Sequence, residues 1–364
     1  MHPYKGLPAN SYWSSAVAAR DWFSIEFKPE RKFEISEMDR ISTAGSCFAQ
    51  HIARNLPHLG FKHFIAEPAA RILSPQRAQE LGYGIFSARY GNIYTARQLR
   101  QLIEFAFGLR PAELFIVEEN GRWYDLLRPG IQQGGFDSEH DALMDRAYHL
   151  GRVKAMFENT ELFIFTLGLT EAWFDEPSGV VFPTCPGVRF GSFRPERHKF
   201  VNFRVSQIVE DLRWCMAHTR SIQPKMKWLL TVSPVALAAT ATSENVLTAS
   251  VHSKSILRAA AGEICDLDEL TDYFPSLEIC NHPASFGQFL ESDLRGVSPR
   301  GVAFVMRIFD QVFGATGNSA KADDALAEDD IEHKLRAAIA AECDEAFNDL
   351  AMRGEPVALT PAEK

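Results

Sequence analysis

Two kinds of segment alternate along the chain. "ELFIFTLG" (161–168) and "MKWLLTVSPV" (226–235) are apolar runs without polar interruption, as expected of central parallel strands covered on both faces. Between them Val205, Ile208, Val209 and Leu212 recur at helical spacing, and residues 251–264 suggest another helix. Earlier, "DRISTAG" reads as a short strand that breaks at Gly45. Phe48, Ile52 and Leu56 then follow at helical spacing, so strand, glycine turn and helix come in order. This alternation predicts an α/β protein with a parallel sheet and helices on both faces.

Other elements carry their own start and stop signals. In "YGNIYTARQLRQLIEFAFG" a Gly-Asn turn precedes a helix with Thr95 as its cap and Leu99, Leu102, Ile103 and Ala106 on one face. "LFIVEENGRWYDLL" predicts a hairpin about Asn120-Gly121. Residues 172–199, rich in Pro, Gly and aromatics, read as a long loop or small excursion near the strand ends, where function often resides. Ser298 and Pro299 start the last core helix, with Val302, Val305, Met306, Phe309 and Val312 on its apolar face. The expected organisation is an arm over 1–38, a main domain over 39–316 and an acidic, partly helical tail over 317–364.

Composition narrows the class. With 364 residues, 46% hydrophobic and 23% charged, the chain can bury a large core. Its net charge of −9 argues against nonspecific nucleic-acid binding, which needs an excess of cations opposite phosphates. The N-terminus lacks a basic flank followed by an apolar core, and no stretch approaches the roughly 20 apolar residues of a membrane span, so a cytoplasmic location is expected. Six scattered cysteines without a CxxC pair suggest buried reduced thiols and neither a metal site nor a disulfide framework; no cofactor is implied.

Candidate chemistry centres on "AGSCFA" (44–49). A serine at a strand-to-helix turn can cap the helix, or it can present its hydroxyl beside backbone N–H groups that would stabilise an oxyanion. A nucleophilic serine needs a base and the base an orienting carboxylate; Asp293 precedes the last helix, and the position three residues on is Gly296. His198, His252 and His282 are the other imidazoles weighed as bases. Arg194, Arg197, His198 and Lys199 form a basic cluster that could hold an anionic group, or simply a solvated charged loop.

"GSCFA", "GNIYT", "LGLTEAW", "HKFVNF", "SPV", "SKSILRA", "YFPSLEI" and "DLRGVSPRGV" occur in the order of similar segments in the GSCFA-domain family, which the chain resembles over roughly residues 35–310. That family looks like a branch of the SGNH/GDSL hydrolase superfamily. The resemblance implies a flavodoxin-like three-layer α/β/α sandwich with a central parallel sheet. It places Ser46 at the nucleophile position and Asp293 at the carboxylate, with Gly296 where the family's histidine is expected. "GLTE" looks like the counterpart of the superfamily's Gly-x-Asn-Asp block, with Thr170 and Glu171 in place of Asn and Asp. Gly91 and Asn92 are implied as a second pair of oxyanion donors, although each is also explicable as turn chemistry. The expected function is ester hydrolysis or O-acyl transfer on a small-molecule or carbohydrate acyl ester, impaired by Gly296. The alternative is a pseudo-hydrolase that binds a ligand or glycan without catalysis.

Overall fold

A computed structural model describes residues 2–28, 30–112 and 115–314; the acidic tail expected over 317–364, with Cys343, lies outside the described residues. In chain order the elements are β1 (Ile41–Gly45), α1 (Ala49–Asn55), α2 (Pro75–Glu80), α3 (Ala96–Ala106), β2 (Ile116–Glu119), β3 (Arg122–Asp125), α4 (Glu139–Asn159) and β4 (Leu162–Leu167). There follow β5 (Glu171–Asp175), β6 (Val180–Phe182), β7 (His198–Asn202), α5 (Val205–Ile222), β8 (Lys227–Val232), α6 (Val246–Leu267), β9 (Thr271–Phe274), α7 (Ser276–Asn281) and α8 (Pro299–Phe313).

The central sheet is parallel throughout, in the order β1-β4-β8-β9. Each strand buries both faces, and alternate residues supply two cores. Phe163, Phe165, Trp228 and Leu230 pack against α3, α4, α5 and α6 through Leu99, Phe157, Leu212 and Leu257. Ile41, Leu162, Ile164 and Leu229 pack on the other face against α1, α7 and α8 through Ile52, Ile279 and Phe309. The architecture is thus the expected three-layer α/β/α sandwich.

Outside β1, Ile41 forms a lone parallel bridge with His63, with Ile41 N–H donating to Lys62 O and Phe64 N–H to Ile41 O. Residues 62–64 therefore act as a rudimentary second strand, and the full order is the flavodoxin-like 2-1-3-4-5. In this order β1 and β4 are neighbours whose following segments leave toward opposite faces. Their C-terminal ends flank the topological switch point, the crevice where open α/β sheets bind ligands.

Local signals account for most elements. Thr95 and Gln98 form a reciprocal capping box at the start of α3. Asn120 (φ 53) and Gly121 (φ 76) make the left-handed turn of the β2–β3 hairpin. Ser298 accepts a hydrogen bond from Gly301 N–H and caps α8. The stretch over 172–199 is more ordered than a loop: β5 pairs antiparallel with β6 and β7 in a separate three-stranded sheet. The N-terminal arm packs Trp22 and Phe27 on the α7–α8 face, and Lys28 pairs with Asp272 at 2.7 Å. Cys215, Cys265 and Cys280 are buried, and burial pushes the thiols of Cys265 and Cys280 up to about 12. Among the described residues no helix is long and apolar enough to cross a membrane.

Candidate active site

Ser46 sits at the switch point because Gly45 lets β1 close against β4. Gly45 adopts φ +140°, and a methyl group there would meet Thr166 O at 2.4 Å, so a side chain is excluded on both counts. The Ser46 N–H then donates to Thr166 O at 3.1 Å, and its carbonyl accepts from Ala49 N–H at 2.9 Å as the chain turns into α1.

The expected cap is absent. Phe48 occupies the N-cap position of α1 without a side-chain bond, because Ser46 lies two residues too early to reach the first turn's free donors. The Ser46 hydroxyl is buried and has no hydrogen-bond partner, and so no imidazole, among the described residues.

Two segments wall this hydroxyl. Ile93 N–H donates to Gly45 O at 2.8 Å, while Gly168 N–H and Leu169 N–H both donate to Tyr94 O. "GNIYT" is thereby stitched across the ends of β1 and β4. Gly168 packs so closely that a methyl there would stand 3.0 Å from both Ser46 Cβ and Tyr94 O. Gly91 adopts φ +68° with open space on its side-chain face. Asn92 is buried, its Oδ1 accepting from Gln50 of α1 at 3.3 Å and its Nδ2 donating to Tyr94 Oη at 3.2 Å.

The remaining expected residues are placed elsewhere or spent on structure. The buried Thr170 hydroxyl donates to Asn202 Oδ1 at 2.6 Å and lies 3.1 Å from Ser253 Oγ, so its single proton holds β5 to its surroundings. Glu171 accepts from the Thr240 hydroxyl at 2.7 Å and from Ala241 N–H at 3.1 Å, anchoring the loop after β8. Asp293 is exposed, and its Oδ1 accepts from the Arg295 and Gly296 N–H groups of its own loop at 2.9 Å each. At Gly296 a Cβ would meet Glu291 Cγ at 3.3 Å, leaving room for a side chain after a small shift.

The three alternative imidazoles have other partners or lie at the surface. His198 pairs across from Asp175, at the opposite end of β5 from Glu171. Four residues of strand separate those ends by roughly 13 Å. Its ring packs on Phe182, and its Nδ1 accepts from Arg194 N–H. Nearby, Arg197 pairs with buried Asp175 and Lys199 lies 3.9 Å from Glu176, so these cations have internal carboxylate partners. His252 is exposed on α6, whereas His282 stacks on Trp22 beneath the N-terminal arm.

One residue not singled out in the sequence lies at the site. Lys254 of α6 is 7% exposed, and its Nζ donates to Gly168 O at 2.5 Å, on the glycine that packs against Ser46. Its signal was a lysine on an apolar stripe, since Leu257, Ala261 and Ile264 continue the same buried face of α6. The neighbouring Ser253 accepts the Thr170 N–H at 3.0 Å and fixes α6 on this end of the sheet.

His51, on the first turn of α1, is also buried. Burial, reinforced by the charge of Arg54, lowers its pKa to about 4. An imidazole whose folded pKa lies below the unfolded value of about 6.5 stabilises the fold fully above that value and loses this contribution as pH falls toward 4. His51→Gln is therefore expected to remove about 3 kcal/mol of stability loss between pH 7 and pH 4, read from urea unfolding at the two pH values.

No curated protein and no solved structure matches the chain. The model of the GSCFA family matches residues 40–309, from the approach to β1 into α8 and across the whole central sheet. With Ser46 of the GSCFA string at the mouth of a parallel sheet and the following family segments walling it, the chain belongs to the GSCFA family.

Proposed function

We propose that the protein performs serine-dependent acyl-ester chemistry at a site of the SGNH/GDSL type. Ser46 gives its proton to a base and attacks an ester carbonyl, the alcohol leaves with that proton as the acyl–serine ester forms, and the acyl group then passes to water or to a hydroxyl acceptor, which restores the serine. The observation that carries this reading is the Ser46 hydroxyl itself: buried, without a partner among the described residues, absent from the helix cap, and seated at the switch point of the sheet. The Gly91 N–H and the Asn92 amide are the proposed oxyanion donors. A small-molecule or carbohydrate ester is the substrate class, and a cytoplasmic setting directs it to glycan or glycolipid precursors.

Lys254 is the proposed base in place of the imidazole that Gly296 lacks. Its flexible stem brings an amine to the carbonyl of Gly168, the residue that packs against Ser46. An amine takes the serine proton only in its neutral form.

A second reading, a ligand-binding pseudo-hydrolase, draws support from the same buried hydroxyl and from Asp293, whose carboxylate is turned to its own loop. Hydrolysis of p-nitrophenyl butyrate by the native chain, Lys254→Met, Lys254→Arg and Gly296→His separates the two. Both Lys254 variants should lose about 100-fold or more in kcat, because arginine keeps the charge and the donor yet cannot release a proton. Native rates in Lys254→Arg would refute its role as base. Turnover by Gly296→His alone would favour the binding reading.

A further inference from the structure

A second concentration of unsatisfied polar atoms lies behind Asn92. Glu67, Arg89, Asp125, Arg128, Arg146 and His149 are all buried, and Asp145 joins them from α4. His149 Nδ1 lies 2.7 Å from Glu67 Oε2, which assigns the ring proton to Nδ1 and leaves Nε2 as an acceptor. That Nε2 has no partner among the described residues, although His149 is 1% exposed. Arg128 donates through Nε to Asp125 and through Nη2 to Asp145, each at 2.8 Å, while its Nη1 has no partner among the described residues. Glu67 Oε1 also accepts no hydrogen bond among the described residues, and Arg89 Nη1 lies 3.7 Å from it. Leaving one such buried group unmade costs about 1–3 kcal/mol, and three in one cluster call for a missing partner.

Arg128 and His149 line a cavity of about 60 Å³ that also reaches Asn92. A single water needs only ~10–15 Å³, so the space admits a group of several atoms. The rest of its wall is largely apolar, including Leu102 and Phe105 of α3, Leu150 of α4 and Val181 of β6.

We propose that this cavity binds a neutral hydroxyl group carried on a short apolar chain, such as a hydroxyalkyl or hydroxyacyl group. Its oxygen accepts from Arg128 Nη1 and its proton is donated to His149 Nε2. The charge balance selects this chemistry. Arg89, Arg128 and Arg146 are matched by Glu67, Asp125 and Asp145, so a bound anion would be uncompensated and could not donate to Nε2. An ammonium group, in turn, has nothing to accept from Arg128. The site does not depend on Ser46 reacting.

Saturation-transfer NMR with 1-butanol, butyrate and butylammonium tests this on the full chain. The native protein and Ser46→Ala should both bind 1-butanol, at least tenfold more tightly than the two charged analogues. Leu150→Trp, which fills the cavity from a half-buried position and replaces no member of the ionic cluster, should abolish transfer while keeping the native melting temperature. Absence of butanol binding to the native chain would mean that water alone satisfies the cluster and would overturn the proposal. Equal binding in Leu150→Trp, or a preference for butyrate, would overturn it as well.

Discussion

Ser46→Ala is expected to lower ester turnover by a factor of about 10³ or more while leaving the protein at least as stable as before. The first half follows from the role of a covalent nucleophile: without it, oxyanion donors and binding alone sustain only a small residual rate. The second half follows from burial. The Ser46 hydroxyl is enclosed with no hydrogen bond among the described residues, so alanine removes a desolvated polar atom without breaking a contact. A gain of about 1 kcal/mol is expected from urea unfolding, together with the kinetic loss. A serine serving only as structure would show the opposite pair of effects.

Asp125→Ala is expected to destabilise the fold by about 3–5 kcal/mol, the cost of stranding buried cations without their counter-ion. Asp125 accepts from Arg146 Nε at 3.0 Å, from Arg128 Nε at 2.8 Å and from Leu127 N–H at 2.9 Å, all in the interior. These contacts join the end of β3 to α4 and build the charged wall of the second cavity. Burial alone would raise the Asp125 pKa, but Arg146 and Arg128 overcome it and hold the carboxyl far below its ordinary range. The stability from this depressed carboxylate is complete above the unfolded value of about 4 and is lost as pH falls below it. Denaturant unfolding at pH 7 and pH 3 should therefore show a smaller gap in Asp125→Ala than in the native chain.

Much of the sheet was legible because its strands and helices advertise themselves locally. The unbroken runs of β4 and β8, the Thr95 cap of α3 and the Asn120-Gly121 turn each carry one dominant signal. α4 was illegible for a physical reason: its buried face contains Arg146 and His149 among Ala142, Val153, Met156 and Phe157, so charge interrupts the apolar period. Residues 62–64 form too short a strand to leave a pattern, and the β5–β7 sheet hides among the glycines and prolines of its connections. At the site, the family segments located Ser46 and the "GNIYT" wall. They did not foretell that Thr170 and Glu171 would be committed to neighbouring side chains and loops. Lys254 was visible in principle, as a charge on a core stripe, but it needed the fold to bring it to Gly168.

The most direct test of Ser46 as a nucleophile is covalent labelling. The native chain is incubated with a fluorophosphonate and the adduct located by peptide mass spectrometry. A single adduct on the Ser46 peptide, absent in Ser46→Ala and formed about 100-fold more slowly in Lys254→Arg, is the predicted result. No adduct on the native chain, or one that persists unchanged in Ser46→Ala, would contradict it.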